Sequence, residues 1–187
     1  LILAGLILIL LGLAYGPGAL QTAPFHPAPA DPEISALFDE TATPASAETG
    51  LPGAEDAEPG PDGRLYVSLR DGRVMARAPE GGWSEVVNTG GRPLGLAFDQ
   101  QDRLLVADAL QGLLRFERDG SRTVIEPAGP PPGLVFTDDL TVLEDGSIIL
   151  SDASQRHGYG DHMMSFLEAE HTGRVLRYGP DGEREVV

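Results

Sequence analysis

"PDGRLYVSLRDGRVMARA", residues 61–78, sets an Asp-Gly turn ahead of a short apolar run, then a second Asp-Gly, then a run that ends in arginine. The same plan returns in "QDRLLVADALQGLLRFER", residues 101–118. It returns again in "EDGSIILSDAS", residues 144–154, once that stretch is rejoined to "TGRVLRYGPDGEREVV", residues 172–187. The first two units add a polar hairpin and a further β-type run, "SEVVN" and "TVIEP". On this alignment Asp62, Asp102 and Asp145 are equivalent, at spacings of 40 and 43 residues. A β-repeat of that period with four strands to the unit marks a propeller blade. No amphipathic helix of crossover length separates the strands, which argues against a parallel α/β fold. The expected fold is therefore all-β, a β-propeller with about three blades over residues 54–187. Three blades leave an open sheet edge, so further blades are expected beyond Val187.

Two segments precede the repeats. Residues 1–15 open with "LILAGLILILLGLA", which has no charge and no polar face, and they are read as an N-terminal apolar helix serving as a membrane anchor or signal segment. "YGPGALQTA" holds no convincing cleavage site, which favours an uncleaved anchor. Residues 16–53 are rich in Pro, Ala and acidic side chains and read as a linker, in which His26 is a solvated residue. An acidic flank free of basic residues favours an extracytoplasmic, periplasmic location for the propeller.

Composition removes several chemistries. All 13 basic residues are arginine and cysteine is absent, so Schiff-base, thiolate, disulfide and cysteine-zinc chemistry are excluded. A net charge of −16 repels polyanions and makes nucleic acid an unsuitable partner. Ser151 and Ser154 lack the glycine pattern of a nucleophile elbow.

What remains is largely carboxylate chemistry. Glu55, Gly95 and Asp138 each stand seven residues before a repeat aspartate, where the innermost strand of each blade opens. Glu55 and Asp138 should then face one axial space, with Asp56 and Asp139 turned away by strand alternation. Converging oxygen ligands from separate blades suit a hard divalent cation such as Ca²⁺. The alternative is that Asp138 and Asp139 accept backbone hydrogen bonds in a tight turn between blades. Asp108 and Asp152 end equivalent strands and read as turn caps, and Arg92 as a hydrogen-bonding residue between blades. The third repeat carries an insertion, residues 155–171, in which Asp161 is placed to cap a short helix with an apolar side. Within it, His157 and His162 are candidate general bases if the insertion folds over the channel.

"NTGGRPLGLAFD" (88–99), "LLVADALQGLLR" (104–115), "FTDDLTVLEDGSIILSDAS" (136–154) and "TGRVLRYGPDGE" (172–183) together resemble the strictosidine synthase-like branch of the gluconolactonase, regucalcin and paraoxonase superfamily. The branch includes adipocyte plasma-membrane-associated proteins, which also carry an N-terminal anchor. The resemblance implies a six-bladed propeller with a central Ca²⁺ or other divalent ion in its hydrolase members. It puts Glu55 on the first-blade glutamate ligand and Asp138 on a position that is often Asn. The remaining ligands, and the glutamate acid/base of strictosidine synthase, would lie in later blades. The implied activity is metal-dependent hydrolysis of lactones or related esters by a membrane-tethered enzyme. Amine and aldehyde condensation, or ligand binding without catalysis, are the alternatives.

Overall fold

The first hairpin unit folds as a four-stranded antiparallel meander: β1 (Ala57–Pro59), β2 (Leu65–Ser68), β3 (Arg73–Arg77) and β4 (Trp83–Asn88). The second contains β5 (Pro93–Phe98), β6 (Leu104–Asp108), β7 (Gly112–Phe116) and β8 (Arg122–Pro127). The third contains β9 (Thr137–Val142), β10 (Ile148–Asp152), β11 (Arg174–Tyr178) and β12 (Arg184–Val186). These are three propeller blades, as the repeats predict. The computed structural model describes residues 50–187, so the predicted anchor over 1–15 and the linker up to residue 49 lie outside the described residues. The strands lie within one compact unit, Pro52–Phe166 with Glu170–Val187.

Alternation along the middle strands builds the core. From β6, Leu104 and Val106 face the first blade and pack with Tyr66, Val74 and Ala76, joined by Leu114 and Phe116 of β7. Leu105 and Ala107 face the other way, onto Leu140, Leu150, Leu176 and Tyr178 of the third blade. Both sides of the second blade are thus covered, which is why "LLVAD" is buried throughout and reads as an unbroken apolar run. Outer strands β4, β8 and β12 have one sheet neighbour each and no fully buried residue. The inner strand β1 has only three residues against six in β5 and β9; it ends at the same turn as they do and is short at its start, around Glu55 and Asp56.

The turns correct the predicted alignment by one residue. Gly63 donates to the Gly60 carbonyl and Gly146 to the Leu143 carbonyl, both with left-handed backbones, φ 77° and 84°. In the second blade the corresponding donor is Asp102 to Asp99, with φ 60°. Asp102 therefore stands where the other blades use glycine, and Gln101 is the equivalent of Asp62 and Asp145. Asp is among the few side chains that tolerate this region. The side-chain bond moves as well: Asp62 accepts from Arg64 N–H and Asp145 from Ser147 N–H, whereas in the second blade Asp99 accepts from both Gln101 and Arg103.

At the opposite rim the blades close alike. Arg70 N–H donates to Gly53, Ala109 N–H to Arg92 and Ala153 N–H to Phe136, at 2.8 to 3.1 Å. Two residues further along each inner strand come Glu55, Leu94 and Asp138; three further come Asp56, Gly95 and Asp139. Leu94, and not Gly95, is the counterpart of Glu55 and Asp138.

The insertion leaves from Asp152 and returns at Arg174, which pair across β10 and β11. Ser154 donates to Glu170, and Gln155 holds both the hydroxyl and the carbonyl of Thr172. Its helix α1 (Met163–Leu167) follows Asp161, whose carbonyl accepts from Met164 N–H at 2.8 Å, but the Asp161 carboxylate pairs with His157 in place of the expected cap. The predicted apolar side is not packed: none of the helix is buried, and Met163 and Phe166 are largely exposed.

Candidate functional site

Where the inner strands open, Glu55, Asp56, Leu94, Gly95, Asp138 and Asp139 line one small cleft of about 180 Å³. Glu55 and Asp138, predicted from different repeats to share an axial space, do share it. Asp56 and Asp139 line it too, contrary to simple alternation. Each folds back on the following N–H: Asp56 Oδ1 accepts from Ala57 at 2.7 Å and Asp139 Oδ1 from Leu140 at 2.8 Å. Asp56 also reaches the second blade, accepting from Leu96 N–H at 2.7 Å. Ser68 secures the same seam, donating to the Leu94 carbonyl at 2.7 Å while accepting from Asp56 N–H.

Gly95 permits this convergence. A Cβ there would collide with Asp139 Oδ1 and come within 2.8 Å of the Asp139 Cα. Only a residue without a side chain lets the inner strands of the second and third blades approach so closely.

Crowded carboxylates release protons less readily than isolated ones. Burial pushes the Asp138 carboxyl above its ordinary range, and the charges of Asp139 and Glu55 push it further. Glu58 is raised in the same way, by burial and then by Asp56 and Asp139. Glu55 has a partner: Arg92 Nη2 donates to it at 3.0 Å. Arg92 thus makes the contact between blades that the sequence suggested, and Nη1 adds the Gly53 carbonyl at 3.5 Å. Its Nε donates to the hydroxyl of Tyr159, in the insertion, at 3.2 Å. The insertion therefore does reach the carboxylate rim, through a tyrosine that no spacing in the sequence singled out.

The candidate bases are elsewhere. His157 is buried with Nδ1 against Asp161 at 3.2 Å, and His162 lies with Nδ1 2.6 Å from the Tyr159 carbonyl, its ring stacked on that tyrosine. Neither lines the acidic cleft. Asp108 caps the turn after its strand, as the sequence indicated; Asp152 does not, its carboxylate turning to the lead-in of β9 and to Arg174. Asp108 Oδ1 accepts from Arg92, Leu110 and Gln111 N–H groups, and Asp152 Oδ1 from Val135 and Phe136. Asp152 Oδ2 further holds Arg174, whereas Asp108 Oδ2 is buried without a hydrogen-bond partner.

Glu55 and Asp138 fit a hard cation in kind, as two oxygen donors at one register of separate blades. Among the described residues no three His, Asp or Glu side chains converge closely enough to hold a metal ion. Among them also, no helix is long and apolar enough to cross a membrane.

Three four-stranded antiparallel blades whose inner strands meet at an acidic cleft form a propeller arrangement, and solved structures agree on the fold. A putative gluconolactonase matches with a TM-score of 0.61 and 23% identity, over 84% of this chain and 56% of that one. The gluconolactonase XC5397 of Xanthomonas campestris matches at 0.58 and 19%, over 73% and 48%. The strictosidine synthase family model matches residues 138–187, and the model of the strictosidine synthase-like N-terminal region matches residues 47–77. Strictosidine synthase-like protein 4 of Arabidopsis thaliana is 37% identical over half of this chain and 26% of its own length. Strictosidine synthase-like protein 10 of the same plant is 31% identical over 84% of this chain and 49% of its own. The adipocyte plasma membrane-associated protein of Salmo salar is 30% identical over 66% and 34%. By these matches the chain is similar to the strictosidine synthase-like proteins, and it shares its fold with the gluconolactonases. The matched stretches span between about a quarter and a half of these relatives.

Proposed function

We propose that these blades belong to a propeller that binds a divalent cation, Ca²⁺ by its donor chemistry, with Glu55 and Asp138 as two of the ligands, and that the whole protein hydrolyses lactones or related esters. One observation carries the reading: two carboxylates 83 positions apart in the chain line one cleft, and each stands at the same place in its blade. A cation would offset the burial and the carboxylate repulsion that together raise the Asp138 carboxyl. When bound, such an ion supplies Lewis-acid polarisation of a carbonyl. Attachment to a membrane, with the propeller on the extracytoplasmic side, is part of the proposal. It is supported by the uncharged run at the start of the chain and by the membrane association in the name of the salmon relative.

The test is calorimetric titration of the full-length protein with Ca²⁺, alongside Glu55→Gln and Asp138→Asn, followed by lactone and aryl ester panels with and without chelator. Loss of at least about tenfold in affinity in each variant, with chelator-sensitive hydrolysis, is expected. Unchanged affinity in both variants would remove these residues from the site.

A second reading has its own support, because Arg92 already occupies Glu55 and, among the described residues, no three donors converge. The cleft would then receive a substrate ammonium group in a metal-independent condensation of amine with aldehyde. Turnover that survives chelation separates the two. Bound Ca²⁺ that raises Tm without turnover points instead to a binding protein.

A further inference from the structure

Arg92 and Glu55 form an unequal pair. The arginine side chain is 6% exposed and that of Glu55 51%. Arg92 is held from several sides besides Glu55: Nη1 lies 3.4 Å from the Pro93 carbonyl and 3.5 Å from that of Gly53, and Nε donates to Tyr159. The Tyr159 ring also lies under the guanidinium, 5.6 Å from its carbon to the ring centroid. A buried guanidinium stays charged and needs its acceptors, so it is fixed; an exposed glutamate is free to rotate, but turning away leaves that buried charge without its carboxylate, and a cation must offset this. When Glu55 turns to another partner, the positive charge stays behind.

Resting on the cation reading above, we infer that Arg92, clamped by Tyr159 of the insertion, is a built-in competitor for Glu55 that sets how tightly the axial cleft holds a cation. The arginine both occupies the carboxylate and repels a second positive charge at short range, where the interaction is strong. Tyr159 makes that competition depend on the insertion, since it supplies the Nε acceptor and covers the guanidinium face. The cleft is thereby tuned to a weaker affinity than its carboxylates alone would give.

Calorimetric titration of the full-length protein with Ca²⁺ alone tests this. Arg92→Met is expected to bind at least about tenfold tighter, Tyr159→Phe about two- to fivefold tighter, and Arg92→Lys close to wild type because it keeps the charge. In a Glu55→Gln background, Arg92→Met should bring a smaller gain, the part due to charge repulsion alone. Tm and circular dichroism of each variant report whether the fold is kept, and Tyr159→Phe retains a readout if the buried arginine cannot be replaced. Binding by Arg92→Met where wild type shows none also supports the inference. Wild-type binding that Glu55→Gln and Asp138→Asn weaken but Arg92→Met and Tyr159→Phe leave unchanged overturns it while sparing the cation reading. No binding in wild type, Arg92→Met or Tyr159→Phe overturns both.

Discussion

Gly95 of the second blade lies against Asp139 of the third so closely that a Cβ on the glycine would meet both the carboxyl group and the main chain of the aspartate. A flexible side-chain tip could move aside; the Asp139 Cα, 2.8 Å away, cannot move without carrying β9 with it. Gly95→Ala is therefore expected to cost about 2–3 kcal/mol through overpacking. Urea unfolding measures it, and a cost below about 0.5 kcal/mol would mean that the inner strands separate freely.

The raised Asp138 carboxyl makes a signed prediction. Because its folded pKa lies above the ordinary value, the native state binds protons more tightly than the unfolded chain. Stability is thus gained as pH falls through the raised pKa, is complete below the ordinary carboxylate range, and is lost again towards neutral pH. With divalent cations removed, Asp138→Asn should raise Tm at pH 7, by about 1–3 °C given the screening of a half-buried group, and match wild type near pH 3. A variant that melts lower than wild type at pH 7 would contradict this.

Asp108 and Asp152 end equivalent strands but should differ sharply as amides. Asp152 Oδ2 holds Arg174 at 2.9 Å in a pair that is almost wholly buried, so Asp152→Asn leaves the guanidinium without its counter-charge and costs about 3–5 kcal/mol. The Oδ2 of Asp108 holds no partner, and its Oδ1 bonds can be kept by an asparagine oxygen. Asp108→Asn should cost less than about 1.5 kcal/mol, and thermal melts of the two variants side by side decide it.

Asp102 occupies a backbone conformation that the other two blades give to Gly63 and Gly146. Asp102→Gly removes that strain along with an exposed ion pair to Arg118, which contributes little. The substitution is expected to stabilise by up to about 1 kcal/mol in chemical denaturation. A loss of more than about 0.5 kcal/mol would show that Arg118 matters more than the turn.

The blades were legible in the sequence because strand alternation and turn chemistry are local. Repeat spacing misplaces the second blade by one residue, because Asp102 takes a glycine's place and Asp99 takes over the turn bond. Glu55 and Asp138 survived that slip because their own turns carry Asp-Gly. Arg92 could be read as a link between blades, but its choice of Glu55 joins residues 37 apart, and its hold on Tyr159 spans 67. Nothing in a single sequence reports where an insertion without a counterpart in the other repeats will fold.

The stem of that insertion is sealed before the loop departs: strand pairing of Asp152 with Arg174, then Gln155 with Thr172 and Ser154 with Glu170, fix both ends independently of what lies between. Loop length adds little entropy once the ends are held. Segments of different size and chemistry can therefore be exchanged at this rim while the β10–β11 ladder keeps its register, so the third blade offers a grafting point beside the axial carboxylates.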